Sequence, residues 1–435
     1  MTCTARLASA RRCIAALHRS TAHPTLTSAP GDSQMHSLTR RSLVVGTAAA
    51  LAFANAHAQK RYDTGASDKE IKIGNIVPYS GPASAYGTIG KSMAAYFTKL
   101  NADGGVNGRT VTFISTDDGY SPPKTVEQAR KLVEQDEVFA IVGSLGTTHN
   151  VAIQKYMNAK KVPQLFVSTG ATRFGEIKDN PWTMGWQPTY QAEARAYAQH
   201  ILQTRPNAKV ALLVQNDDFG KDYLKGFTEG LGDKAKTLVV TQQTYEVTDP
   251  TIDSQIVSMK GAGADTLIIL ATPKFAAMTL KKAAEIGWQP LRYLSNVSQS
   301  VAAVLRPAGL EAAKGVISAT YLRDPADPAT QQTKEYQDYA AVMKQYYPGG
   351  DPTEQLNVLG YTMAQTVVQL LKQAGDNLTR ENVMTQAHNM KFTLPMLYPG
   401  VVIETSATNA YPMEKMQLIQ FNGTRYEPIG SVFGQ

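Results

Sequence analysis

The chain has 435 residues, 43 Lys plus Arg, 36 Asp plus Glu and a formal net charge of +7. Most of that excess stands in residues 1–58, which carry six arginines, no lysine and one acid, Asp32, so the remainder sits near +2. A surface so nearly balanced gives no reason to expect nucleic acid or an anionic membrane as partner.

Residues 1–58 read as an export leader that is removed. Arg40 and Arg41 precede an apolar run, LVVGTAAALAFA, which closes on the small-residue site Ala56-His57-Ala58, the order of a secretory signal. The run is about a dozen residues, too short to span a bilayer. "SLTRRSLVV" resembles a twin-arginine signal, and the same arginines suit the basic end of a general secretory signal; Met1 or Met35 could be the start. Both cysteines, Cys3 and Cys13, and four of the seven histidines fall in this segment. The rest is therefore expected to have no disulfide, thiol nucleophile or thiolate metal site. His149, His200 and His388 are widely spaced, so neither a metal cluster nor any cofactor is expected.

About 377 residues remain, more than one core usually serves. After a short tail, 59–69, β-branched runs alternate with amphipathic ones: strand 71–77, helix 86–102, strand 110–117, helix 123–136, strand 138–143, helix 148–160 and strand 164–168. The alternation restarts after Pro188, with helix 190–204, strand 209–215, helix 219–231, strand 237–245, helix 252–262, strand 265–271, helix 274–286 and strand 292–296. Strands separated by helices of this length form right-handed parallel units, so the fold class is α/β with two doubly wound sheets. Strand 315–321, helices 330–346, 354–374 and 379–389, and a β-rich tail MQLIQFNGTRYEPIG complete the chain. That last third has no full alternating unit and is expected to add to both lobes.

"SAYGTIGKS", residues 84–92, fits a permissive phosphate-loop pattern. Strand one ends near Val77, and Tyr86, Ile89, Met93, Phe97 and Leu100 already keep helical spacing. Gly90-Lys91-Ser92 thus lies inside a helix, where its amides are committed and cannot cradle phosphate. The loop Val77-Pro78-Tyr79-Ser80-Gly81-Pro82 instead sits at the carboxyl edge of strand one, where open α/β sheets bind ligands, with Tyr86 facing that edge. Gly143-Ser144-Leu145-Gly146-Thr147-Thr148 follows a buried strand and opens a helix, and Ser168-Thr169-Gly170-Ala171-Thr172 follows the next strand. Hydroxyls and helix-start amides together suit a carboxylate; plain N-capping by Ser and Thr accounts for the same residues. Thr272 and Asn296 occupy further strand ends.

"IGNIVPYSGPASAYG", "LNADGGVNGRTV", "DDGYSPPKTVEQARKLVEQDEVFAIVGSLGT" and "QNDDFGKDYLKGF" together resemble the branched-chain amino-acid-binding family of extracytoplasmic solute receptors serving ABC importers. The similarity runs in order through nearly all of 70–435. It implies the type I periplasmic-binding fold: two Rossmann-like lobes, a solute trapped between them, and three hinge crossovers near Gln187, Tyr321 and Glu414. Lobe 1 would comprise 70–187 plus 322–414, and lobe 2 would comprise 188–321 plus 415–435. The resemblance gives the carboxylate to Thr147 and Thr172 with backbone groups of Gly146 and Gly170, and matches a lobe 2 aromatic to Phe219.

Amino-acid binders of the family place acids near the positions of Tyr190 and Val297 to neutralise the ammonium, since a buried cation without a counter-charge is costly. Neither residue is acidic here; a slip of one or two residues would bring in Asp217 or Asp218. The departure points to a carboxylate without an amine, and Tyr86, Trp186, Tyr190 and Phe219 favour a planar ring. An aromatic acid, a benzoate or a phenylpropanoid, is the expected solute, with a branched-chain or other amino acid as the alternative. The expected partners are that solute and a membrane permease, met by a periplasmic monomer; a sensor subunit that reports to a membrane kinase has the same signature. An enzyme on this fold would need a nucleophile, a base or a cofactor loop, and none is evident.

Overall fold

A computed structural model describes residues 60–434; the expected leader lies outside them. Strand β1 (Glu70–Val77) buries both faces, with Ile71, Ile73, Ile76 and Val77 all nearly inaccessible, as a central parallel strand must. It feeds α1 (Gly87–Ala102). Then come β2 (Thr110–Asp117), α2 (Pro122–Glu134), β3 (Ala140–Val142), α3 (Thr147–Lys160), β4 (Gln164–Val167) and β5 (Thr183–Gly185). The sheet order is β2-β1-β3-β4-β5, parallel throughout. One face packs Ile73, Val77, Met93 and Phe97, and the other packs Ile76, Leu132, Val138 and Ile153. Each such apolar side chain contributes about 1.5–3 kcal/mol by leaving water.

The chain then crosses to a second sheet through α4 (Tyr190–Thr204), capped by Thr189, whose Oγ1 accepts from Ala192 N at 3.3 Å. Next are β6 (Val210–Gln215), α5 (Asp218–Leu231), β7 (Val239–Tyr245), α6 (Asp253–Gly261), β8 (Thr266–Leu270), α7 (Pro273–Glu285), β9 (Leu291–Leu294) and β10 (Ile317–Thr320). After β10 the chain returns to the first sheet, where α8 (Lys334–Tyr346) and the long α9 (Gln355–Ala374) pack on α1. It crosses back at β11 (Lys415–Phe421), followed by β12 (Tyr426–Pro428) and β13 (Phe433–Gly434). The second sheet runs β12-β11-β10-β9-β8-β6-β7, with β13 also on β11. Here the structure departs from an all-parallel expectation: β11 is antiparallel to β10, and β12 and β13 are antiparallel to β11. The short turn between β11 and β12 permits only an antiparallel return, and β13 pairs with the other end of β11, at Lys415 and Met416.

Two further differences from the sequence reading are local. Pro328–Gln331 and Lys334–Tyr346 are separate helices, because Thr333 caps the second by accepting from Tyr336 N at 3.3 Å. Strand β5, three residues long, has too short a pattern to show a period. The phosphate-loop look-alike does lie within α1. Gly90 is there for packing: a Cβ would come within 2.3 Å of the Tyr79 hydroxyl. Ser92 Oγ donates to Asn357 O at 2.6 Å, tying α1 to α9. No helix among the described residues is long and apolar enough to cross a membrane.

Candidate functional site

Strand order reverses between β1 and β3 in the first sheet and between β6 and β8 in the second, and the loops at such switch points form crevices. A cavity lined from both sheets lies there. It holds about 640 Å³ of space between atoms, open in part to solvent. The first lobe contributes Tyr86, Tyr120, Gly146, Thr147, Ser168 and, at the first crossover, Gln187; the second contributes Phe219, Thr272, Asn296, Gln299 and Ser300. Tyr190 and Tyr321 stand at crossovers, and the start of α9 adds Gln355, Leu356 and Leu359.

The loop before α3 is fixed by Asn150, whose Nδ2 donates to Ser144 O and Gly146 O, both at 2.8 Å. Gly146 holds φ at +99°, and a Cβ there would come within 2.4 Å of His149 Nδ1. No side chain caps α3, so its first turn presents amides and a positive dipole end at the cavity wall. Beside them, the hydroxyls of Thr147 and Thr169 share a hydrogen bond of 2.7 Å. Gln187, 5% exposed, has its Nε2 buried without a hydrogen-bond partner, a donor that a buried anion could satisfy. His149 lies 4.2 Å from Tyr120, ring to ring, and burial holds its pKa below the ordinary value.

The lobes meet through direct bonds. Tyr86 Oη donates to Val297 O at 3.1 Å, and Thr148 Oγ1 to Asp217 Oδ2 at 3.4 Å. Thr172 gives its amide (2.9 Å) and hydroxyl (3.1 Å) to Asp222 Oδ2. Ser300 Oγ donates to Glu354 Oε2 at 2.8 Å, and burial raises the pKa of that glutamate. The cleft is shut.

Behind the second-lobe wall lies a buried acid. Glu193 on α4 is inaccessible, and its two oxygens accept from Tyr197 Oη (2.6 Å), Tyr223 Oη (2.8 Å), Asn296 N (2.8 Å) and Asn296 Nδ2. Burial pushes its pKa up to about 7, against those bonds. Asp217 accepts from Phe219 N, Gly220 N and Gln215 Nε2. The twenty lining residues include no Asp, Glu, Lys, Arg or His.

Of the expected site residues, the structure brings Tyr86, Leu145, Gly146, Thr147, Ser168, Tyr190, Phe219, Thr272 and Asn296 to this cavity. Ser144, Thr169, Gly170, Ala171, Thr172 and Trp186 are not in the lining. Ser144 Oγ is turned to Asn150, Thr172 is engaged by Asp222, and Trp186 is fully buried with Nε1 donating to Thr366 Oγ1 at 3.0 Å. Gly170 packs against the hinge, where a Cβ would lie 2.5 Å from Pro188 O. Sequence reasoning passed over Tyr120, Gln187 and Tyr321 as lining residues, and the start of α9. Tyr120 follows β2 at the carboxyl edge, a signal that the strand-end rule could have used. A second, wider cavity shares Gln299, Leu322 and Gln355 with the first and runs along the later crossovers.

Two α/β lobes, joined by three crossovers and closed on a cavity, define a cleft-type solute-binding protein. The chain belongs to the periplasmic binding protein family, whose model matches residues 70–425. These proteins bind solutes rather than convert them. The chain is 23% identical over 319 residues to Leu/Ile/Val-binding protein homolog 7 of Brucella abortus, covering 69% of this chain and 77% of that one. It is 22% identical over 325 residues to Leu/Ile/Val-binding protein homolog 1 of Brucella suis, covering 73% and 82%. A branched-chain amino acid ABC transporter structure from Thermus thermophilus with bound valine matches with TM-score 0.75 at 18% identity, over 85% of this chain and 98% of that one. A fatty acid ABC transporter substrate-binding protein from Thermomonospora curvata matches with TM-score 0.72 at 22% identity, over 86% and 95%. These likenesses establish the type I periplasmic-binding fold.

Proposed function

We propose that the protein is the extracytoplasmic receptor of an ABC importer that closes on a small carboxylate lacking an amine, an aromatic acid such as a benzoate or phenylpropanoid, and presents the closed form to a membrane permease. The observation that carries this reading is the wall: twenty lining residues and no Asp, Glu, Lys, Arg or His among them. A buried ammonium would need a counter-charge. A carboxylate can be held without one, by the first-turn amides of α3, the Thr147 and Ser168 hydroxyls and the unpartnered Gln187 Nε2. Tyr86, Tyr120, Tyr190 and Phe219 supply flat apolar surface for a ring.

A second reading, a branched-chain amino acid, is favoured by the names of the Brucella relatives and by the valine in the Thermus structure. It requires an acid to reach the cavity, and Glu193 and Asp217 are both engaged by several protein donors. A thermal-shift screen of amino acids, aliphatic acids of increasing length and aromatic acids separates these. Aromatic acids should raise Tm and leucine should not. The reverse result would replace the first reading by the second, and a preference for long aliphatic acids would point to the adjoining cavity.

A further inference from the structure

Asn296 follows β9 and stands between the cavity and the buried carboxylate of Glu193. A primary amide has two faces, a donor nitrogen and an acceptor oxygen, and the side chain can present either. Here the choice is made. Asn296 gives its backbone N–H to Glu193 Oε1 and its Nδ2 to Oε2. Each of those oxygens also accepts a tyrosine hydroxyl, from Tyr197 and Tyr223 respectively. Asn296 lines the cavity, and with one hydrogen of Nδ2 anchored on Glu193 behind the wall, Oδ1 is the acceptor the amide has left to offer a solute.

We propose that Glu193 is a positioning residue that locks Asn296 with its carbonyl oxygen facing the solute, so that the cleft selects a carboxylate carrying a neutral hydrogen-bond donor, such as a hydroxyl, on its lobe 2 end. This rests on the carboxylate reading above and goes beyond it by naming what the other end of the solute must offer. The two ends of the cavity then differ in kind. The first-lobe end is rich in donors: α3 amides, Thr147 and Gln187 Nε2. The second-lobe end offers an acceptor. A solute with no donor there leaves Oδ1 desolvated and unpaired, the situation in which discrimination by a hydrogen bond is largest. An ammonium is a poorer match, because it needs a counter-charge and Glu193, which already accepts from two donors on each oxygen, does not line the cavity.

The test is calorimetric titration with benzoate, 3- and 4-hydroxybenzoate and the two matching methoxybenzoates, on the wild-type protein, Glu193→Gln and Asn296→Ala. In the wild type one hydroxy isomer should bind roughly fivefold or more tightly than benzoate, and its methyl ether, which cannot donate, should lose that gain. The ratio of hydroxybenzoate to benzoate affinity should fall toward one in both variants. General damage to the fold would weaken all the acids together and leave the ratio standing, and Asn296→Ala reads the same ratio if Glu193→Gln does not fold. Benzoate binding with no hydroxyl gain, or a gain that survives both substitutions, would overturn the role of Glu193 and Asn296 alone. Absence of binding by every acid in the series would overturn the carboxylate reading, and this inference with it.

Discussion

Thr172, expected from the sequence to hold the solute, gives both its amide and its hydroxyl to a single oxygen of Asp222 on the opposite lobe, at 2.9 and 3.1 Å. The other oxygen of Asp222 accepts Gln191 Nε2 at 2.6 Å, so the carboxylate is braced within its own lobe before it reaches across. A ligand shifts such an equilibrium only by its differential affinity for the closed state, and a clasp between lobes adds to that side. Asp222→Ala should weaken solute binding by about 1–3 kcal/mol. Small-angle scattering should show a larger radius of gyration without ligand. Unchanged scattering and unchanged affinity would remove Asp222 from the closure.

Thr147 begins α3 at the cavity wall with its hydroxyl 2.7 Å from that of Thr169. Thr147→Val keeps the shape and removes the donor. Affinity for an aromatic acid should drop by about 1–3 kcal/mol if the hydroxyl meets a buried carboxylate, with Tm of the free protein little changed. Equal affinity would exclude the contact.

Gly146 sets the direction of that helix. At φ +99°, with a Cβ 2.4 Å from His149 Nδ1, alanine is strained by both the backbone and the neighbour. Gly146→Ala should cost about 1–2 kcal/mol of stability and weaken binding as well, by moving the first turn of α3. A variant with wild-type Tm and affinity would show that the loop can relax.

Burial of Glu193 has a signed consequence. Its pKa of about 7 in the folded protein lies above the ordinary 4.5, so the folded state binds the proton more tightly than the unfolded chain. The stability due to this group is greatest at or below about pH 4.5 and is lost as pH rises to about 7, by up to roughly 3 kcal/mol. Denaturant melts of wild type and Glu193→Gln should therefore diverge in slope across that window and run parallel above it. Parallel curves throughout would show that the carboxylate titrates normally.

What was legible in the sequence follows from the range of the forces that set it. Strands β1, β2, β6 and β8 and helices α1, α4 and α9 appear within one or two residues of their expected bounds, because burial on one face or both imposes a local period. The loop Gly143–Thr148 was readable for the same reason: a buried strand, two glycines and a helix start are adjacent in the chain. Tyr120 was not, since a tyrosine at φ +60° obeys no local rule and is held by its contact with His149. Glu193 looks like an ordinary polar residue of an amphipathic helix; its burial is decided by Tyr223 and Asn296, thirty and more residues away. That Thr172 faces Asp222 and not the cavity was likewise hidden, because its partner lies fifty residues away on the other lobe.

The most direct test is a crystal structure of the protein with a bound aromatic acid. The carboxylate should lie in the cleft within about 3.2 Å of Thr147 and Gln187 Nε2, with its ring among Tyr86, Tyr190 and Phe219 and no acidic side chain touching it. A solute bound outside the gap between the lobes, or an acidic residue bonded to a nitrogen of a tightly bound solute, would contradict the account.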